Sequence, residues 1–282
     1  MDILFLNLSC WGYGISLICY LSYLFIVKRR FAAAILKMLI SLTIFSHALF
    51  FISRYMLIYF PVIEYKKYLP FNTYWEGLTL LALGIIVLTF SLGFFEKQRL
   101  VAAINLTLVL GMQLLVFNMD KYMPLIAPPY QTFWMSSYAF ISLIGYSFLA
   151  ISFICSLVYL ALLLISKSAF LKRIFSKSKD LSLEELLIFN QRFVYFGFPL
   201  MCAGIILRSS WSNLAWGEWW QWNNEEIWSL IAWLLYMLFI YIRENKQNIQ
   251  LFPAIVSLIA FVCGIISYFG HNIIGFNIFK NF

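Results

Sequence analysis

The stretch from Trp211 to Trp233 reads WSNLAWGEWWQWNNEEIWSLIAW and holds seven of the chain's ten tryptophans. Trp216, Trp219, Trp220 and Trp222 fall within seven positions, broken by Gly217, and run directly into Asn223, Asn224, Glu225 and Glu226. Each indole offers a broad π-face and one N–H donor, so such a cluster suits a large, flat ligand better than it suits a helix interior. Aromatic belts at membrane surfaces are the plainer source of tryptophan, but belts scatter their rings over helix ends. Here the pattern is W-G-x-W-W-x-W-x-x-x-E-x-W-x(4)-W.

Few other residues could do chemistry. The chain has two histidines, His47 and His271. His47 falls about halfway along an apolar run, where an ionisable group is a functional candidate by default. It would also serve as a neutral hydrogen-bonder between helices. His271 follows Gly270 at the end of another apolar run, where a neutral imidazole can offer a lone pair. Arg54 and Glu76 flank the segment 59–74; pairing with each other is the economical outcome, since an unpaired charge in lipid is expensive. Arg54, and Arg208 just before the tryptophans, are alternatively suited to a ligand carboxylate, because a planar guanidinium matches that geometry. Glu225 and Glu226 are placed to cap a following helix. Cys10, Cys19, Cys155, Cys202 and Cys263 form no CxxC, and no HExxH is present, so neither a thioredoxin-like site nor a zinc site is supported.

The elements that position these residues are helices in lipid. Of 282 residues 63% are apolar and 11% charged, where a soluble domain carries about 25% charged. The expected class is all-α: a polytopic helix bundle, because backbone polar groups in lipid must be satisfied within each segment. Runs long enough to cross occur at 8–27, 33–58, 75–95, 100–118, 133–165, 190–209, 226–242 and 251–272. The fifth is too long for one crossing and should tilt or project. The first lacks a basic flank and a cleavage site and reads as a retained span. The segment DLSLEELLIFN should form an interfacial helix feeding the sixth span, with Asp180 or Ser182 as its cap. No repeat or soluble insert divides the chain, so residues 1–282 read as one domain containing the tryptophan-rich segment 209–226.

The net charge of +8 does not indicate nucleic acid, because the basic residues sit in short loops between apolar runs. Lys28, Arg29, Arg30, Lys97, Arg99, Lys172, Arg173, Arg243 and Lys246 fall on one side of an eight-span bundle. That side should be cytoplasmic. Both termini and the tryptophan segment are then expected outside, as is the proline-bearing stretch with Pro124, Pro128 and Pro129, a stiff flank to the platform. The bilayer would be the plasma (inner) membrane, or a thylakoid-type membrane.

Trp216-Gly217-Glu218-Trp219-Trp220-Gln221-Trp222, then Glu226, Trp228 and Trp233, resembles the "WWD" signature of the cytochrome c assembly superfamily, whose CcsA/ResC branch fits best. Gly197-Phe198-Pro199-Leu200 with Gly204 is similar to the family's sixth span, and Tyr236 and Arg243 to its seventh. Arg54, Pro70 and Tyr74-Trp75-Glu76 resemble its arginine and outer loop, and Ser142 through Tyr146 the start of its fifth span. The resemblance implies a non-covalent, b-type haem held at the outer face by Trp216, Gly217, Trp219, Trp220, Trp222, Asn223 and Glu226. It implies propionate contacts from Arg54 and Arg208, and His271 and His47 as candidate iron ligands. It further implies a ResB/CcsB-like membrane partner and an apocytochrome c substrate, this chain being the haem-presenting subunit of a two-subunit synthase. No residue of its own reads as catalytic.

The chain also departs from that pattern. Family histidines would fall on Tyr138, on Tyr241 and near Asn277, and the motif's aspartate is Asn223. A phenolate can ligate ferric haem, but a tyrosine ionises only near pH 10 unless a cation is close. The missing imidazoles keep two other readings open: an accessory of haem metabolism resembling HemX proteins, and a transporter or lipophilic-ligand binder on the same scaffold.

Overall fold

The computed structural model describes residues 2–25, 29–59, 69, 73–119, 121, 132–166, 183–245 and 250–274. These residues form helices α1 (Asp2–Phe25), α2 (Arg29–Tyr59), α3 (Tyr74–Ser91), α4 (Phe94–Lys97), α5 (Arg99–Phe117), α6 (Phe133–Ser166), α7 (Leu183–Trp216), α8 (Asn224–Asn245) and α9 (Leu251–Ile274). Among the described residues there is no strand. Every helix but α4 is long and apolar enough to cross a membrane, eight in all. The all-helical, polytopic architecture expected from composition is therefore what the chain adopts.

Two boundaries differ from the sequence expectation for a physical reason. The first helix begins at Asp2 and not near residue 8. The Asp2 carboxylate can lie in an apolar helix because Arg54 Nη1 donates to its Oδ2 at 3.0 Å. The sixth span and its expected interfacial helix are one continuous α7 with Glu184 and Glu185 in its first turn. Asn190 and Gln191 lie where the two segments join, and both find partners on neighbouring helices. Asn190 Nδ2 donates to the Ser152 carbonyl at 3.1 Å and to Ser257 Oγ at 3.2 Å. Gln191 Oε1 accepts from Arg243 Nη2 at 2.8 Å. The expected caps Asp180 and Ser182 and the three loop prolines lie outside the described residues.

The chain divides into two compact units, Met1–Ala139 and Phe140–Phe282. In the first, α1 packs on α2 and α5, and α3 packs on α5. The helices come close at Gly12, where an added Cβ would lie 2.6 Å from Thr43 Oγ1. Gly93, at φ +69°, turns the chain between α3 and α4, a left-handed conformation that favours glycine.

In the second unit α8 packs on α9 and α7 on α8. The α6–α7 contact is a seam of small residues. A Cβ on Gly197 would lie 2.7 Å from Leu149 Cδ2 and 3.0 Å from the Gly145 carbonyl, and one on Gly204 would meet Ser142 Oγ at 2.2 Å. Lipid tails are as apolar as leucine, so helices in a bilayer gain from close van der Waals contact and not from water exclusion. Pro199 lies inside α7, two residues from Gly197 of this seam. Gly197→Val should therefore push α6 and α7 apart and cost about 1–3 kcal/mol, as overpacked cores do. The measurement is the melting temperature of detergent-solubilised protein. Gly111→Ala, with nothing within 4 Å of the new Cβ, should leave it unchanged.

Candidate functional site

The tryptophan segment belongs to the second unit and is only partly a loop. Residues 209–216 complete α7, residues 217–223 are non-helical, and Asn224 begins α8. Gly217 ends the helix at φ +79°, with its N–H donating to the Asn213 carbonyl at 2.9 Å. This is the left-handed C-terminal stop that glycine favours.

The loop is fastened at both ends. Ser209 Oγ donates to the Trp219 carbonyl at 2.7 Å, folding the loop back onto the last turns of α7. Arg208 Nη1 donates to Glu225 Oε2, and its Nη2 reaches Asn223 Oδ1 at 3.4 Å. Asn223 caps α8: its Oδ1 accepts from the Glu226 N–H at 2.9 Å, and its carbonyl accepts from the Ile227 N–H at 3.0 Å. Such a cap contributes about 1 kcal/mol. Buried Glu226 reaches back to accept the Gln221 N–H at 2.7 Å through Oε2. Glu226 thus closes the turn from inside, and Glu225 is the partner of Arg208. Ser267 Oγ on α9 donates to the Glu225 carbonyl at 2.7 Å, which brings α9 to the base of the loop.

Four indoles meet in two edge-to-face pairs. Trp211 and Trp216 have centroids 6.5 Å apart at 87°, and Trp220 and Trp222 are 5.9 Å apart at 79°. Such pairs contribute about 0.5–1.5 kcal/mol beyond their area. Trp211 is buried, whereas Trp216, Trp219 and Trp222 remain 50%, 61% and 65% exposed. Trp222 holds φ +55°, making it the one non-glycine residue with positive φ among those described. A bulky residue there costs about 1–3 kcal/mol, and such strain gathers at functional sites. The Trp220 Nε1 atom is buried and meets no hydrogen-bond partner. Trp233 is spent differently: its Nε1 donates to Cys202 Sγ at 3.3 Å, and its ring stacks on Phe198.

The remaining candidates are placed as follows. His271 falls on α9, one turn beyond Ser267, but its side chain lies outside the described residues, as does Asn277. Tyr241 is exposed near the far end of α8, 17 residues from Asn224 and so about 25 Å from the loop along the axis. Tyr138 is buried in the first unit. His47 is fully buried there too, with Nδ1 2.9 Å from Tyr13 Oη and Nε2 3.2 Å from Gln113 Nε2. Arg54 lies between two carboxylates, Nε 2.9 Å from Glu76 Oε1 and Nη1 3.0 Å from Asp2 Oδ2, and its guanidinium stands 4.8 Å from the Trp75 ring centroid. Sequence reasoning found the Arg54–Glu76 pair. It missed Asp2, whose one signal was a carboxylate at the head of an apolar run. It also missed Tyr13 and Gln113 as the partners of His47. Among the described residues no three His, Cys, Asp or Glu gather closely enough to hold a metal ion.

A family model described as cytochrome C assembly protein matches residues 71–278. The chain belongs to the cytochrome c assembly protein family. The match takes in α3 through α9 and the whole tryptophan loop, and leaves α1 and α2 outside it. Relatives named "cytochrome c biogenesis protein CcsA" put the chain on that branch. The one from Guillardia theta is 30% identical over 226 residues, covering 74% of this chain and 75% of the relative. The Porphyra purpurea protein is 25% identical over 246 residues, covering 74% and 77%. The Prochlorococcus marinus protein is 38% identical over 101 residues, covering 36% and 30%.

In this cytochrome c assembly protein Arg54 is held at 2% exposure between two buried carboxylates. Arg54→Met should leave two carboxylates buried without their cation. Removing one partner of a buried ion pair costs about 3–5 kcal/mol. The expected result is loss of most folded, detergent-extractable protein, read by size-exclusion chromatography. Arg208→Met, at the half-buried Arg208–Glu225 pair, should keep the fold and loosen only the loop.

Proposed function

We propose that the chain acts in cytochrome c biogenesis by holding haem, non-covalently and as a b-type group, on the tryptophan loop and presenting it to an apocytochrome c. The observation that carries this reading is the set of exposed indoles Trp216, Trp219 and Trp222 on a loop fastened to the ends of α7 and α8. Three features of the loop fit such a ligand. Broad aromatic faces match a macrocycle. The buried, unpartnered Trp220 N–H is a donor that a carboxylate could claim if Trp222 moved aside. The left-handed Trp222 stores strain that binding can use.

In this reading Trp216, Trp219, Trp220 and Trp222 contact the macrocycle. Gly217, Asn223 and Glu226 set the path of the loop. Arg208, tied to Glu225 and Asn223, fixes the loop's base. Arg54 is a structural cation, because Asp2 and Glu76 already hold it. His271 is the iron ligand we assign, from its helix position one turn beyond Ser267. His47 is assigned to the interior of the first unit, since both its ring nitrogens are engaged. Tyr241, at the opposite end of α8, could act only at a second position away from the loop.

When bound, the haem supplies vinyl groups that form thioethers with the thiols of a CxxCH substrate, so the protein contributes position and environment rather than a nucleophile. The loop would face the outer side of the membrane. A ResB/CcsB-like membrane protein would complete the synthase.

Protein purified from haem-replete cells should show b-type absorbance bands that shift on reduction. Trp219→Ala combined with Trp220→Ala should remove most of that absorbance, and His271→Ala should weaken it and alter the reduced spectrum. A colourless preparation that takes up no added haem would refute the proposal. A deletion strain that keeps its covalent c-type haem would refute the biogenesis role.

A further inference from the structure

The interior of the first unit is far more polar than a lipid-spanning core requires, and its polar groups fall in layers. At one end Arg54 bridges Asp2 and Glu76. Next comes Tyr13–His47–Gln113, contributed by α1, α2 and α5. Then Asn105 Nδ2 on α5 donates to Thr89 Oγ1 on α3 at 3.0 Å. At the far end Tyr20 Oη donates to the Arg99 carbonyl at 3.0 Å. The sequence spacing produces these layers. Arg54 and His47 are seven residues apart on α2, and Gln113 and Asn105 eight apart on α5. Each step is two turns of helix, about 10–12 Å, so each helix shows one polar face to the same interior.

The two middle layers are incomplete. Gln113 Oε1 and Asn105 Oδ1 are buried atoms with no hydrogen-bond partner, and so is Ser16 Oγ on α1, between Tyr13 and Tyr20 in sequence. The residues are 1%, 0% and 0% exposed. Turning the amide of Gln113 does not solve this: one end faces His47 Nε2 and the other would still face nothing. Leaving a buried polar atom unpaired forfeits its hydration with nothing in return, and three such losses in one small bundle are hard to sustain. Globular interiors meet this need with bound water, about one per 27 residues, typically on groups otherwise unsatisfied. The unpaired Gln113 oxygen belongs to the same amide that meets His47 Nε2, so it lies in the polar layer of Tyr13 and His47 and not among apolar side chains alone.

We infer that the first unit binds internal water at its centre, with one site on the Tyr13–His47–Gln113 layer and another on the Asn105 layer. Water there supplies donors to the two amide oxygens and holds the His47 imidazole in a hydrated setting within the membrane. Tyr13 and His47 lie outside the stretch matched by the family, Gln113, Asn105 and Thr89 lie inside it, and the inference uses no residue of the tryptophan loop.

The test is radiolytic hydroxyl-radical footprinting of the intact protein in lipid nanodiscs, in water enriched with oxygen-18. Bound water generates radicals in place, so a buried residue beside it is labelled despite having no exposed surface. After correction for intrinsic reactivity, Tyr13 and His47 should be labelled several-fold faster than Phe50 and Phe94, which are equally buried in the same unit. Equal rates would overturn the inference. In Gln113→Leu the rate at Tyr13 should fall to that of Phe50, and an unchanged rate would show that Gln113 does not hold the water. The wild-type comparison decides the matter if that variant does not insert.

Discussion

A bilayer interior supplies no water to satisfy a polar atom, so each one must find its partner within the protein. That requirement governs both units. Helices satisfy the backbone, and the side chains that break the apolar pattern then decide which helices meet. Asp2 can sit at the head of an apolar helix because Arg54 reaches it. Asn190 can lie inside α7 because Ser152 and Ser257 receive its amide. Interhelical hydrogen bonds in lipid contribute only about 0.6 kcal/mol on average. Their larger effect is to make other pairings of the same helices expensive.

The two units use this constraint differently. The first spends its polar residues inside, in layers tied across α1, α2, α3 and α5. The second joins α6 to α7 by glycines, where Gly145 and Gly197 let the backbones approach, and keeps much of its chemistry at one end. There the loop between α7 and α8 is short, glycine-stopped and fastened by Arg208, Ser209 and Glu226. Polar groups occupied with holding the loop leave three indoles with their faces outward. A loop so constrained would lose little further entropy on binding the flat ligand proposed for it, which is the benefit of preorganisation.

The departures noted in the sequence also have a physical reading. Asn223, which the sequence resemblance sets against an aspartate, performs the capping task, because an amide oxygen accepts the Glu226 N–H as a carboxylate would. Arg208 finds its anionic partner in Glu225. The tyrosines at 138 and 241 are not comparable to each other. One is buried in the first unit and the other is exposed far along α8 from the loop.

The number of membrane-crossing helices, the class of fold and the place of the tryptophan cluster were all determined by sequence alone. Each depends on local composition: run length, hydropathy, and the crowding of one residue type near a glycine. The Arg54–Glu76 pair was also legible, since two opposite charges in neighbouring spans have few alternatives. Tertiary structure alone decided the partners that are distant in sequence and chemically ordinary. Asp2 completes the Arg54 pair, and Tyr13 and Gln113 take the two nitrogens of His47. Tertiary structure also split the indoles into edge-to-face pairs, outward faces and a buried N–H, and merged the expected interfacial helix and the sixth span into one continuous α7. Composition fixes which groups enter the low-dielectric interior, but only the rotation and depth of each packed helix determine which of them meet.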